Sequence, residues 1–116
     1  MKKLVSNSMC RRQSLTYGLL VALLSLAPTA FAETKTVLQK DKAFSVDKLE
    51  VKVGETVNFR NEDPFFHNVF SLSDAKFFDL GSFPQGESRP VTFDQPGTVE
   101  IECAIHPNMK MIVEVK

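Results

Sequence analysis

The most informative scarcity in this sequence is that of cysteine. The 116-residue chain has two cysteines, and only Cys103 follows residue 32. A disulfide within residues 33–116 is therefore excluded, although a domain of this size would gain stability from one. A single thiol is also chemically awkward in an oxidising compartment unless its sulfur is buried or bound to a metal.

The full chain also has no excess of charge of either sign. The chain has 14 basic and 14 acidic residues, and four basic residues but no acidic one precede residue 33, so the remainder has a net charge of −4. We find no basic cluster, low-complexity tract or internal repeat in it. These absences predict that the domain does not bind nucleic acid or an anionic membrane surface.

The first 32 residues have the layout of a secretory signal peptide. A basic segment is followed by the apolar run Leu15–Leu26 and by the small-residue pattern Ala30-Phe31-Ala32. The apolar run of about a dozen residues is shorter than the ~20 residues that a membrane-spanning helix needs. We therefore expect cleavage after Ala32, with residues 33–116 forming one exported or periplasmic domain that has no membrane span. Because Arg11-Arg12 only partly matches a twin-arginine signal, the export route stays open.

Short alternating segments separated by turns dominate residues 33–116, and no helical period is sustained. Leu49–Val53 and Thr56–Arg60 each place apolar residues on one face, and Gly54-Glu55 between them favours a hairpin. The segment Leu72–Pro90 is less regular, with a helical turn predicted at Ser73–Lys76 and loops after it. The whole pattern predicts an all-β sandwich or barrel.

The alternation of apolar and charged residues in the segment Val99–Cys103 predicts the direction of the Cys103 side chain. Val99 and Ile101 face the predicted core, so Cys103 should continue the buried row while Glu100 and Glu102 face water. Glu62-Asp63 is likewise predicted to be solvated. Five phenylalanines are predicted mainly to pack in the core, with one or two forming an apolar collar near His106. They are Phe65, Phe66, Phe77, Phe78 and Phe83.

Side chains that bind soft metal ions are few in residues 33–116, and they are concentrated. The two histidines, one cysteine and two methionines are His67, His106, Cys103, Met109 and Met111, of which four lie in Cys103–Met111. Two imidazoles, a thiolate and a thioether are the ligands of the blue-copper electron-transfer site. Zinc, the main competitor, binds thioether poorly, and a two-copper centre would need a second cysteine. We therefore predict one type 1 copper ion held by His67, Cys103, His106 and Met109.

Two methionines compete for the axial position. Met109 lies three residues after His106, and Met111 lies five residues after it. If Met109 ligates, Met111 begins the last strand and faces the core with Val113 and Val115. We prefer Met109, and Met111 stays open as the alternative.

The motifs as a set resemble the small cupredoxins of the plastocyanin, pseudoazurin and amicyanin kind. Similarity extends over about Lys42 to Lys116. The segments that match these cupredoxins are Val53–Phe59, His67-Asn68-Val69 and the short Cys-x-x-His-Pro-x-Met loop Cys103–Met109. A second set of segments resembles bacterial methylamine-utilisation or plastocyanin-like proteins, namely Phe78–Gly81, Pro90–Phe93 and Pro96-Gly97. The resemblance implies an eight-stranded cupredoxin-like Greek-key β-sandwich, type 1 copper and electron shuttling between redox partners. It also implies that Asn68 forms hydrogen bonds between the two ligand loops.

These expectations favour an exported monomeric carrier of single electrons. A c-type cytochrome or a periplasmic dehydrogenase is a possible protein partner by fold-level analogy. Two rivals stay open, namely a copper-binding protein for storage, delivery or tolerance, and an interaction module without metal. An enzyme is the least favoured class, because Cys103 and His106 form a thiol–imidazole pair that lacks a candidate third group.

Overall fold

The computed structural model describes residues 18, 22–26 and 33–116. The predicted signal peptide and its cleavage site therefore lie almost wholly outside the described residues. Within those ranges the secondary structure is strand and turn, and no helix has the length and apolar character needed to cross a membrane. The strands are β1 (Thr34–Lys40), β2 (Ala43–Phe44), β3 (Lys48–Val51), β4 (Thr56–Asn61), β5 (His67–Ser73), β6 (Lys76–Phe83), β7 (Ser88–Thr92), β8 (Gly97–Glu102) and β9 (Lys110–Val115).

Two sheets pack around one core, which confirms the predicted all-β sandwich. The first sheet has the order β2-β1-β4-β7, and the second has the order β3-β9-β8-β5-β6. Pairing is parallel between β1 and β4 and between β3 and β9, and antiparallel elsewhere. The resemblance implied eight strands, whereas nine form here, with β2 only two residues long.

Alternation along the strands builds this core because successive side chains point to opposite faces of a sheet. On β8, Val99 and Ile101 are fully buried, and Cys103 directly after the strand is 1% exposed. Glu100 is exposed and Glu102 is half-buried. The predicted parity of this strand is therefore confirmed, and it delivers the thiol to the interior. The same alternation on β9 buries Met111, Val113 and Val115.

The predicted hairpin between Leu49–Val53 and Thr56–Arg60 is wrong. β3 pairs with β9 in the second sheet, while β4 pairs with β1 and β7 in the first. The intervening turn crosses from one sheet to the other and is closed by a hydrogen bond from the Glu55 N–H to the Lys52 carbonyl, 3.0 Å long. Alternation shows that each segment has one buried face, but it does not specify the strand with which the segment pairs.

The prediction of a helical turn at Ser73–Lys76 with loops after it is wrong as far as Phe83, whereas the predicted loop is confirmed at residues 84–87. Asp74 and Ala75 form a tight turn, and Lys76–Phe83 returns as strand β6 alongside β5. The pairing of β6 with β5 shifts register between Asn68 and Phe70 of β5. On the β6 side of this shift, Gly81 adopts a φ of +69°. A β-bulge with glycine in the left-handed region explains why the segment lacks a regular alternation in the sequence.

Candidate metal centre

The start of β5 and the end of β8 meet at the same end of the sandwich. His67 is the first residue of β5 and is completely buried, and Cys103 follows the last residue of β8. Because β5 and β8 are antiparallel neighbours, the Cys103 sulfur lies 3.8 Å from His67 Nδ1. Two side chains that are 36 residues apart in the sequence thus share one buried point.

His106 reaches this point from the loop between β8 and β9. The loop is closed by two backbone hydrogen bonds, from the Met109 N–H to the His106 carbonyl at 2.9 Å and from the Cys103 N–H to the Met109 carbonyl at 3.3 Å. The His67 and His106 rings are 4.9 Å apart between centroids and inclined by 61°. One donor atom from each of His67, Cys103 and His106 lies within 4.8 Å of the others.

The state of these donor atoms fits a soft metal ion. His106 Nδ1 is buried, and it has no hydrogen-bond partner among the described residues. A buried nitrogen without a partner is costly, and coordination would satisfy it. His106 Nδ1, His67 Nδ1 and the Cys103 sulfur are two imidazole nitrogens and one thiol. This combination is the equatorial donor set of type 1 copper. The residues present therefore fit copper.

Electrostatics favours the neutral form of His106. Burial is the largest cause that lowers the pKa of His106, followed by the nearby His67 and the Lys42 ammonium, while Asp63 acts in the opposite direction. A neutral imidazole is the form that binds a metal ion. The site therefore favours the binding-competent form of this side chain.

Asp63 occupies a position that the sequence did not indicate. We predicted a solvated carboxylate, but Asp63 is only 3% exposed, and its Oδ2 lies 2.6 Å from His67 Nε2. Burial opposes ionisation, yet hydrogen bonds from His67 and from the N–H groups of Lys42 and Asp41 hold the pKa of Asp63 below its usual value. The separation of four residues between Asp63 and His67 does not predict this contact, because the contact depends on the conformation of the loop between them.

Met109 and Met111, the two candidates for the axial position, are both buried, at 1% and 2% exposure. Met109 belongs to the loop that carries His106, and its backbone is hydrogen-bonded to both Cys103 and His106. Met111 pairs with Ile101 within the β8–β9 ladder. This arrangement is consistent with Met109 as the axial residue, and the assignment stays a prediction.

Asn68 connects the two segments that carry the ligands. Its backbone N–H donates to the Cys103 sulfur at 3.4 Å, and its side-chain Oδ1 accepts from the Ala104 N–H at 3.5 Å. These contacts agree with the role that the resemblance implied. The Asn68 amide is itself held by Asp79, whose Oδ1 accepts from Nδ2 at 2.9 Å. Asp79 was not predicted to belong to the site.

The phenylalanines divide between core and surface. Phe83 is fully buried, Phe78 packs against the core, and the Phe65 ring lies 5.3 Å from both imidazole rings. Phe66 and Phe77 are exposed, at 55% and 73%, which contradicts core packing for these two. Next to the site, Ile105 is also 46% exposed.

The fold and the donor set define a small copper-binding domain. A model of the copper-binding proteins of the plastocyanin/azurin family matches residues 32–116. The chain therefore belongs to the plastocyanin/azurin family, whose members bind copper. His67, Cys103 and His106 converge as the equatorial donor set of a type 1-like site for one copper ion, and Met109 remains the predicted axial residue.

Solved structures with the same fold include both single-domain and larger proteins. A reduced form of an amicyanin variant is 26% identical, with a TM-score of 0.67 over 72% of this chain and 82% of that one. Another amicyanin variant, in its reduced Cu(I) form at pH 4, is 25% identical, with a TM-score of 0.67 over 75% of this chain and 87% of that one. A copper-containing nitrite reductase from Thermus scotoductus SA-01 is 32% identical, with a TM-score of 0.68 over 72% of this chain. This chain spans only 22% of the reductase.

Proposed function

We propose that this protein is a periplasmic carrier of single electrons, with one copper ion bound by His67, Cys103, His106 and Met109. The observation that carries the proposal is the convergence of two imidazoles and one thiol within 4.8 Å, with His106 Nδ1 buried and without a hydrogen-bond partner in the part of the chain that the structure describes. Copper bound there would supply a Cu(I)/Cu(II) couple.

The protein's own residues support electron transfer without substrate chemistry. His67 and Cys103 are held on strand ends of one sheet, so the donor atoms need little movement when the metal changes charge. Burial of His67, Cys103 and Met109 excludes water from most of the site. His106 lines a surface cleft of about 280 Å³ together with Lys42, Ile105, Pro107 and Asn108. We therefore propose that the protein is not an enzyme.

The proposed location depends on the first 32 residues. We propose that they direct export and are removed after Ala32, so that the copper domain works in the periplasm as a monomer with protein redox partners. The test is cell fractionation, followed by N-terminal sequencing of the exported protein. Glu33 is the expected first residue, and an uncleaved chain in the cytoplasm would contradict the proposal.

Copper titration tests the function directly. Adding Cu(II) to the purified protein should produce an intense blue thiolate-to-copper absorption band and a reversible one-electron reduction in voltammetry. The matched variant Cys103→Ser should lose the band, because the thiolate is its source. Colourless binding with rapid exchange would instead favour copper storage or delivery, and no binding would favour an interaction module.

A further inference from the structure

The Asp63 carboxylate connects His67 with a turn that is more than 20 residues away in the sequence. On one side, its Oδ2 lies 2.6 Å from His67 Nε2. On the other, Oδ1 accepts from the Asp41 N–H at 2.8 Å, and Oδ2 accepts from the Lys42 N–H at 3.1 Å. Asp41 and Lys42 form the turn between β1 and β2, with φ angles of 54° and 57°. Residues other than glycine rarely adopt this conformation, and the two hydrogen bonds to Asp63 help to hold it.

The position of Asp63 is itself fixed from the interior. Its backbone N–H donates to the side chain of Asn61 at 2.8 Å, and Asn61 is fully buried. The Asn61 amide in turn donates to the carbonyls of Phe65 at 2.8 Å and Phe83 at 3.0 Å. The carboxylate is thus held in place independently of any metal.

We propose that Asp63 is a positioning residue that keeps the proton of His67 on Nε2, directs Nδ1 to the metal, and lowers the reduction potential of the centre by its negative charge. The proposal rests on the proposed copper function. A carboxylate bonded to the distal nitrogen of a ligating histidine fixes its tautomer and makes it a stronger electron donor. Stronger donation and a nearby negative charge stabilise Cu(II) more than Cu(I), which lowers the potential.

Two substitutions separate hydrogen bonding from charge. Asp63→Asn removes the charge and the acceptor for the Asp41 N–H but keeps an oxygen that can accept from His67 Nε2–H, whereas Asp63→Ala removes the charge and every acceptor. In copper-free protein above the pH at which imidazole titrates, nitrogen NMR should show His67 protonated at Nε2 in the parent and in Asp63→Asn. Asp63→Ala should populate the other tautomer and bind copper 10- to 100-fold more weakly.

The reduction potential provides the second readout. If Asp63→Asn weakens Cu(II) binding tenfold relative to Cu(I), the potential rises by about 59 mV. Glu62→Gln is the charge control, because Glu62 is the neighbouring residue and pairs with Arg60, not with His67. Ser45→Ala is the control for the turn, because it removes the Ser45–Leu38 hydrogen bond of the same β1–β2 hairpin without touching His67.

Specific outcomes decide the proposal. An unchanged His67 tautomer in Asp63→Ala, or a potential in Asp63→Asn that shifts no more than in Glu62→Gln, would overturn it and leave Asp63 with a structural role in the turn. If Asp63→Ala does not fold, Asp63→Asn still tests the potential. A parent protein that binds no copper would refute the proposed function, while the tautomer measurement would still report on Asp63.

Discussion

The axial position can be decided by replacing each methionine with leucine. Met109→Leu is expected to change the absorption and electron paramagnetic resonance spectra of the copper form, whereas Met111→Leu should leave them nearly as they are. The backbone of Met109 is hydrogen-bonded to Cys103 and His106, which keeps it beside the donor atoms. Met111 is two residues further along, within a regular ladder opposite Ile101.

Burial makes these two variants a matched pair. Met109 and Met111 are 1% and 2% exposed, so each exchange for leucine takes place in a packed interior. Exchanges of similar volume usually cost less than about 1.5 kcal/mol of the free energy of unfolding. The copper-free variants should therefore have similar urea midpoints, and a spectral difference between them reports on ligation and not on loss of the fold.

The result that would refute this reasoning is a reversal of the two spectra. A strong change in Met111→Leu with little change in Met109→Leu would make Met111 the axial residue and lengthen the ligand loop. A copper site that is unaltered in both variants would remove the thioether from the ligand set.

Two further predictions concern the copper-free protein. Gln39 is fully buried, and both polar atoms of its side-chain amide lack partners among the described residues, so Gln39→Met should raise the free energy of unfolding by about 1–3 kcal/mol. A lower urea midpoint in this variant would contradict the prediction. Because the folded-state pKa of His106 is lowered from 6.5, the unfolded chain binds more protons below that pH, and stability should fall as the pH drops from about 6.5 through the folded-state value. Urea unfolding across this range tests it, and His106→Gln should lose this part of the dependence.

Local alternation was enough to predict the strand that leads to Cys103. A period of two places Val99, Ile101 and Cys103 on one face, and the structure buries all three. Pairing was not predictable in the same way, because a strand with one apolar face packs equally well in either sheet. β3 and β4 therefore ended in different sheets, although only a short turn separates them.

The candidate ligands were predictable because their chemistry is rare in this chain, but the orientation of their side chains was not. A carboxylate in a polar segment is usually exposed. Asp63 is buried because backbone donors from Asp41 and Lys42 and the imidazole of His67 surround it. The contacts with Asp41 and Lys42 join residues 22 and 21 positions apart and depend on the conformation of a turn. A sequence pattern carries no signal for such a conformation.

Buried polar atoms without partners occur at two places in the described residues, and only one of them indicates chemistry. The Gln39 amide and His106 Nδ1 both depart from the rule that buried polar groups form hydrogen bonds. An unpartnered atom alone therefore does not identify a site. His106 differs because a second imidazole and a thiol converge with it, whereas Gln39 is not part of such a group. The cost of leaving His106 Nδ1 unpaired is offset when a metal ion binds, so copper should stabilise the fold as well as enable electron transfer. Gln39 has no comparable compensation, and for that reason its replacement is expected to stabilise the protein.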